Sequence, residues 1–217
     1  MKLRLSAVEK ILFLSICFTM LLLITRVVYS NTGSYLFYAW NLFLAIIPLY
    51  FSRKLYSYDA IKWAALFLIA GWLLFFPNAP YLITDIFHFH QRGNVPLWYD
   101  LLLVLSASWN GLMAGFISLM QVDEFLSRFI AKKWQVFYIS GFMFAASIGI
   151  YIGRFLRFNS WNVITKPRSL MRFGIEYIFI PQQHINAWAF STICTVFLLF
   201  IYYTIKNLPA RLTPGRQ

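Results

Sequence analysis

Charged residues are scarce in this sequence. Aspartate, glutamate, lysine and arginine make up 12% of its 217 residues, whereas a soluble domain has roughly 25%. Acidic residues are the scarcest, with seven Asp and Glu against 19 Lys and Arg. Hydrophobic residues reach 60%. This composition excludes an ordinary soluble domain and predicts an integral membrane protein.

Cysteine and compact catalytic motifs are also scarce. The two cysteines, Cys17 and Cys194, both fall in apolar stretches, so we expect buried free thiols rather than a disulfide. The sequence has no HExxH motif, no GxSxG motif and no other recognised catalytic spacing. We therefore assign no metal site, the cofactor is unknown, and the sequence leaves open whether the protein is an enzyme.

The basic residues do not form a stripe or an arm, although the net charge is +12. They lie between apolar segments, where anionic lipid headgroups are the nearest partners. We therefore expect membrane lipids as partners and no nucleic acid.

Six apolar runs have, or nearly have, the about 20 residues that a helix needs to cross the roughly 30 Å hydrocarbon layer. The predicted fold class is all-α, a polytopic membrane helix bundle with short interfacial helices, in a single domain over residues 1–217. The first run resembles a signal peptide but lacks a small-x-small cleavage site, so we interpret it as a retained helix. The predicted spans are residues 11–29, 35–51, 61–76, 101–120, 134–152 and 187–203.

Lysine and arginine predict the orientation in the membrane. With a cytoplasmic N-terminus, twelve of the 19 basic residues lie in inside segments and seven in outside segments. The positive-inside rule therefore predicts that both termini are cytoplasmic. An outside segment after the fifth span is unusually basic and needs a reason of its own. Its basic residues are Arg154, Arg157, Lys166, Arg168 and Arg172.

Small residues recur every four positions in the fifth span, and on a helix they form one nearly straight groove. The fourth span contains a GxxxG motif, Gly111 and Gly115, so we predict that these two helices pack closely. Arg157 lies four residues after the last small residue, so a guanidinium is expected at the end of the groove. The groove residues are Gly141, Ala145, Gly149 and Gly153.

A helix break is predicted at the end of the third span. Pro77 lacks a backbone donor and should end or kink the helix. Asn78 is a favourable N-cap for a new helix, and Pro80 suits its first turn. The chain should therefore stop and restart as a short helix running to His90.

The restarted helix would place Tyr81, Asp85 and His88 on one face, at spacings of four and three. A carboxylate three residues from an imidazole suits an acid–base pair or two ligands of one metal. This spacing is common by chance, and a solvated amphipathic face also explains the pattern.

Other polar positions have simpler expectations. Arg26 should snorkel to the membrane interface, and Asn41 should hydrogen-bond a neighbouring helix. Asp100 lies near a helix start, where the helix dipole favours a carboxylate. Segment 122–133 is predicted to be an amphipathic helix at the inner surface, and 169–180 an interfacial or re-entrant helix at the outer face.

The predicted topology brings the polar ends of helices three to six to the outer side. Buried charges in membranes usually face a cavity or each other, so we expect Arg154 and Arg157 to pair with Asp85 and Asp100. The catalytic candidates are Asp85, His88 and Asp100. The substrate-binding candidates are Asn78, Tyr81, Arg154, Arg157, Asn159, Trp161 and His184.

Three blocks carry a family resemblance: FFPNAPYLITD at 75–85, WYDLLLV at 98–104 and GRFLRFNSWN at 153–162. In this order and spacing they resemble the uncharacterised bacterial membrane family catalogued as domain of unknown function 1361. The resemblance covers nearly the whole chain and implies a bacterial inner-membrane protein, without an activity. In that family an aspartate often follows the tryptophan of the third block. This chain has Asn162 there, which argues against an acid or metal role at that position.

Three functions fit these residues. The first is an enzyme acting on a lipid or lipid-linked anionic substrate, held by the arginines. The second is binding or transport of an anionic solute or lipid at the broken third helix. The third is a structural or accessory subunit whose salt-bridged polar cluster holds helices together. A cavity with Asp85, His88 and Arg157 within about 8 Å of one another would favour the enzyme.

Overall fold

The computed structural model describes residues 6–89, 94–158 and 162–212. Within these ranges the chain forms α-helices and short 3-10 segments and no strand, which confirms the all-α prediction. The chain divides into two compact units, residues 1–126 and 127–217. The single-domain prediction stays a prediction.

In the part of the chain that the structure describes, five helical segments are long and apolar enough to cross a membrane, which confirms the membrane assignment. The predicted second span is the helix α2, Phe37–Leu55, of 19 residues. It is not among the five, because polar and charged residues lower its mean hydropathy. The five are Ala7–Ser30, Trp63–Phe87, Leu97–Leu126, Lys132–Arg154 and Pro181–Leu208.

The first unit is built around a long, largely buried helix. The helix α1 (Ala7–Ser30) begins with a capping box between Ser6 and Glu9, which satisfies two backbone donors. The helix α5 (Leu97–Leu126) contacts α1 and α2 along its length. Gln121 near the end of α5 donates to Glu9 at the start of α1, so these two helices run antiparallel. The buried residues that form one hydrophobic core cluster of this unit are Leu23, Tyr35, Tyr38, Leu42, Ala45, Ala79, Leu82, Leu103, Val104 and Ala107.

The predicted break in the third helix is confirmed, but its capping differs. The helix α3 (Trp63–Phe75) is followed by the single turn α4 (Asn78–Tyr81) and a 3-10 segment, Leu82–His88. Asn78 is the first residue of α4 rather than its N-cap. Its side chain instead donates to the carbonyl of Phe75, at 2.9 Å. Asn78 therefore caps the end of the preceding helix, where carbonyls lack partners.

The glycines of α5 pack closely against the helix break that follows α3. A Cβ at Gly111 would lie 2.5 Å from Leu82 Cδ1 and 2.8 Å from the Ala79 carbonyl oxygen, and one at Gly115 would lie 2.8 Å from Ala79 Cβ. The predicted pairing of this GxxxG motif with the fifth span is therefore wrong. The motif admits the backbone of α4, a close approach that small residues permit.

The second unit pairs the helices α6 (Gln135–Arg154) and α9 (Ile185–Leu212). Thr195 donates to Ser147 Oγ at 3.1 Å, which fixes the face of α6 that α9 covers. The predicted groove begins on another face, since Gly141 is exposed and nothing lies within 4 Å of a Cβ placed there. The buried residues of α6 are Ile139, Met143, Ala146, Ser147 and Ile150.

Between α6 and α9 lie the short helix α7 (Asn162–Thr165), the helix α8 (Pro167–Phe179) and a 3-10 turn, Pro181–His184. The helix predicted at 169–180 is thus confirmed as α8. Asn162 opens α7 and donates to Thr165 Oγ1 at 2.9 Å.

The predicted surface helix at 122–133 is wrong. The helix α5 continues to Leu126, and Phe125 and Leu126 are buried. Turns follow, and a 3-10 segment, Lys132–Trp134, leads into α6. The apolar residues at the start of the segment therefore belong to the core of the first unit rather than to an amphipathic surface helix.

Both thiols are free, as predicted, but their burial differs from the prediction. Cys17 is exposed on α1, and Cys194 is half-buried on α9.

Candidate functional site

Arg26 of α1 and Asp100 of α5 form a bidentate ion pair inside the first unit. Arg26 Nε donates to Asp100 Oδ1 at 2.7 Å, and Nη2 donates to Oδ2 at 3.1 Å. Both side chains are 0% exposed. The prediction that Arg26 snorkels to the interface is therefore wrong. Asp100 also differs from the prediction, because its partner is Arg26 and not an arginine beyond the fifth span.

The guanidinium of Arg26 is further fixed by an aromatic ring. Its Cζ atom lies 3.9 Å from the centre of the Tyr35 ring, a cation–π contact that gains strength when water is excluded. Nη1 is buried and has no hydrogen-bond partner among the residues that the structure describes. One edge of the guanidinium is thus committed to Asp100, and Nη1 is left with unused donors.

Asp85 is buried in the 3-10 segment after α4 and is 1% exposed. Asn41 Nδ2 of α2 donates to Asp85 Oδ2 at 3.1 Å, and the Tyr38 hydroxyl donates to the Asp85 carbonyl at 3.4 Å. The predicted interhelical hydrogen bond of Asn41 is confirmed. The structure therefore ties Asp85 to α2, a partner that the sequence did not identify.

The predicted partners of Asp85 are only partly described. His88 ends the 3-10 segment, but its side chain lies outside the described residues, as does the whole of His90. In a 3-10 helix positions three apart share a face, so the backbone keeps the spacing of Asp85 and His88. Tyr81 ends α4, and its carbonyl accepts from Thr84 Oγ1 at 2.6 Å. The acid–imidazole pair stays a prediction.

Arg154 is the last residue of α6, and Arg157 lies three residues beyond it. Arg157 is exposed and has φ 58°, in the left-handed region that non-glycine residues rarely adopt. The predicted site residues Asn159 and Trp161 lie outside the described residues. The convergence of Arg154 and Arg157 with Asp85 and His88 would join the two units, and it stays a prediction.

His184 belongs to a polar group within the second unit. Its Nε2 lies 3.8 Å from Glu176 Oε2, and its ring lies edge-on to Phe173 at 5.4 Å. Arg172 Nε donates to Glu176 Oε1 at 2.7 Å. This hydrogen bond holds the pKa of the Glu176 carboxyl below its ordinary value. Arg172, Glu176 and His184 therefore form a group between α8 and the turn that follows it.

The helix α8 has two apolar faces. On one face Tyr177 is buried and stacks on Trp188 of α9 at 4.5 Å, while Phe173 stacks on Tyr151 at 6.4 Å. The other face is exposed, and Arg168 and Arg172 lie at its edge by helical spacing. This pattern is typical of an interfacial helix, and its depth in the membrane stays a prediction. The exposed residues are Met171 at 66%, Ile175 at 56%, Ile178 at 64% and Phe179 at 76%.

Besides the hydrogen bond between Asn41 and Asp85, sequence reasoning missed two pairings. Arg26 is the one charged residue in the last turns of an apolar helix, a signal that it needs a partner. Asp100 stands at the matching end of an antiparallel helix, but nothing in the sequence pairs α1 with α5. The sequence did not predict the contact of Glu176 with His184, because this contact depends on the 3-10 turn after α8. Within the described ranges, no three His, Cys, Asp or Glu side chains cluster closely enough to hold a metal ion.

Comparison with known proteins identifies a family. A family model described as "Protein of unknown function (DUF1361)" matches residues 40–201, about three quarters of the chain. The three sequence blocks lie inside that range, whereas Arg26 lies before it. No curated protein and no solved structure matches the chain.

Proposed function

We propose that this chain, which belongs to the DUF1361 family of proteins of unknown function, binds an anionic lipid, or the anionic headgroup of a lipid-linked molecule, at the membrane surface through α8. The observation that carries the proposal is the exposed apolar row of α8 beside Arg168 and Arg172. The opposite face of this helix is packed on α6 and α9. One helix thus offers one face to protein and another to lipid.

The apolar row supports insertion into the membrane boundary. Fully burying a side chain of this size contributes about 1.5–3 kcal/mol. An amphipathic helix with such a row lies in the interface with its apolar face about 5–10 Å deep. Four side chains from Met171 to Phe179 supply enough area to hold α8 there.

The basic residues support a preference for anionic headgroups. Each Lys or Arg near an anionic surface contributes about 1 kcal/mol, and arginine can bind a phosphate through two parallel hydrogen bonds. Lys166, Arg168 and Arg172 are exposed on or beside α8. Glu176 offsets part of the charge of Arg172 through their hydrogen bond.

The carboxylates of the first unit favour binding over acid–base catalysis. Asp100 accepts two hydrogen bonds from Arg26, and Asp85 accepts one from Asn41. Both are buried, and a general base must reach the proton that it removes. Among the three functions that the sequence allows, lipid binding is therefore the one with the most support.

The test compares lipids retained by the purified full-length chain. Samples in detergent receive equal amounts of phosphatidylglycerol and phosphatidylcholine, and native mass spectrometry counts bound molecules. The wild-type chain should retain more phosphatidylglycerol. The variant Arg168→Gln/Arg172→Gln should lower this preference by roughly tenfold or more, because two charges are lost.

Two further variants make the test specific. Lys132→Gln/Lys133→Gln removes two exposed charges elsewhere in the same unit and should leave the preference within about twofold of wild type if binding is local to α8. Glu176 is charged at neutral pH, as an ordinary glutamate is, so Glu176→Gln should raise the preference up to about fivefold. Equal loss in both double variants would reject a site at α8.

A further inference from the structure

A second feature lies in the first unit, between the last turns of α1 and the start of α5. It is a cavity of about 230 Å³. Its walls come from two antiparallel helices and from the residues just before α5. The lining residues are Thr25, Arg26, Tyr29, Val95, Pro96 and Tyr99.

Arg26 is the charged member of this lining. It is 1% exposed, Asp100 occupies Nε and Nη2, and the Tyr35 ring holds the guanidinium plane. Nη1 has no partner within the described part of the chain. A buried donor left unpaired is unfavourable, so a ligand that supplies an acceptor gains free energy without first ordering the arginine.

The remaining walls are mostly apolar. Val95 is 3% exposed, and Pro96 and the rings of Tyr29 and Tyr99 complete the lining. The Tyr99 hydroxyl already donates to the Leu22 carbonyl at 2.9 Å. Thr25 and Tyr29 are exposed, so the cavity opens beside α1. The lining is therefore mostly apolar, with Arg26 as its charged residue.

Charge and size define the ligand class. Arg26 and Asp100 cancel each other, so a full negative charge would be repelled by Asp100 as well as attracted by Arg26. A neutral carbonyl oxygen accepts the hydrogen bond without that repulsion. Pockets for whole drug-sized ligands measure about 300–1,000 Å³, so this cavity accommodates part of a larger molecule that continues outside.

We infer that this cavity binds the ester region of a neutral glycerolipid, with an ester carbonyl accepting from Arg26 Nη1 and the first acyl carbons lying on Val95 and Tyr99. Arg26 stands four residues before the end of a 24-residue apolar helix. At that position a spanning helix leaves the hydrocarbon layer, which is where lipid ester groups lie. The inference concerns an uncharged ligand and the first unit, and it does not depend on the proposed role of α8.

The test uses diacylglycerol with a photoreactive diazirine in one acyl chain. The full-length chain is reconstituted in phosphatidylcholine vesicles containing this probe, irradiated, digested and mapped by mass spectrometry. Labelling should concentrate on the peptides containing Thr25, Tyr29 and Tyr99 rather than spread over lipid-facing peptides. Thr25→Trp fills the cavity and should lower this labelling at least about fivefold, whereas Val28→Trp, at an exposed α1 position outside the cavity, should leave it within about twofold.

Two further comparisons separate the donor and the source of the ligand. Arg26→Met/Asp100→Leu removes the donor without leaving a buried charge, and labelling should fall while the helical circular dichroism stays unchanged. Excess unlabelled diacylglycerol should displace the probe, and triacetin, which has the ester groups without long chains, should not.

Three results would overturn the inference. One is labelling with no enrichment at the cavity, as expected if only water meets Nη1. Another is equal labelling of Thr25→Trp and Val28→Trp. A third is displacement by triacetin as effective as by diacylglycerol, which would assign the cavity to a small soluble ester. If the double variant does not fold, the two tryptophan variants decide the question alone.

Discussion

Arg26 shows how a single charge is accommodated inside an apolar helix. Its partner Asp100 lies in the first turn of α5, where the helix dipole also favours a carboxylate. Two hydrogen bonds and an aromatic ring hold the guanidinium. A buried ion pair of this kind contributes little net stability compared with apolar residues, but losing one partner is costly. Its value lies in fixing which ends of α1 and α5 meet.

Removing one partner of this pair should therefore cost more than removing both. Asp100→Ala leaves Arg26 buried without a counter-ion and should destabilise the protein by about 3–5 kcal/mol. Arg26→Met/Asp100→Leu should cost much less, because no charge stays buried. Thermal unfolding in detergent, followed by circular dichroism, gives the comparison. Similar melting temperatures for the two variants would contradict a strongly coupled buried pair.

At the level of elements, the broken third helix and α5 depend on each other. The turn at Pro77 brings Ala79 and Leu82 against the glycines of α5. Ser108 Oγ of α5 donates to the Leu82 carbonyl at 2.8 Å, which satisfies a backbone acceptor at the start of the 3-10 segment. The close approach therefore holds Asp85 in place through the backbone that precedes it.

Adding a methyl group at this contact should destabilise the first unit. In Gly111→Ala the new Cβ meets the Ala79 carbonyl oxygen, a backbone atom that cannot move freely, so we expect a loss of about 1–3 kcal/mol from overpacking. Gly141→Ala is the matched control, because its Cβ meets nothing within 4 Å and alanine favours a helix by about 1 kcal/mol. Thermal unfolding should rank Gly111→Ala below wild type and Gly141→Ala at or above it. The reverse ranking would show that the GxxxG motif does not pack on α4.

For the whole molecule, α2 decides the orientation of the termini. Its 19 residues span about 28 Å at 1.5 Å per residue, close to the hydrocarbon thickness. Its polar Asn41 is satisfied by Asp85, and Arg53 and Lys54 stand at its end. Polar groups paired inside a bundle do not prevent crossing. Six crossings place both termini on one side, whereas five would place them on opposite sides.

We therefore expect both termini in the cytoplasm. Green fluorescent protein and alkaline phosphatase, fused in turn to each end of the full chain, report the side by fluorescence and by phosphatase activity. Both ends should be fluorescent and inactive as phosphatase, because α2 crosses and the basic loops stay inside. Opposite reports from the two ends would mean that α2 does not cross.

Much of the candidate site could not be predicted. The break at Pro77, the interhelical role of Asn41 and the helix now seen at Pro167–Phe179 followed from local patterns. The partners of Arg26 and Asp85 could not be predicted from local patterns, because each partner lies more than forty residues away along the chain. Spacing within a helix shows which residues share a face, but it does not show which other helix covers that face.

The sequence by itself determined that this is an all-α membrane protein, because bilayer thickness converts run length and composition directly into spanning helices. It also determined where one helix must break and that residues 169–180 form a helix, whereas the amphipathic helix that it indicated at 122–133 is not formed. Only the tertiary structure decided that Arg26 forms an ion pair with Asp100, that Gly111 packs against α4, and that one apolar face of α8 is exposed. Helix pairing in a membrane depends on shape and on a few polar contacts rather than on a hydrophobic pattern, and shape becomes visible only when the helices are packed.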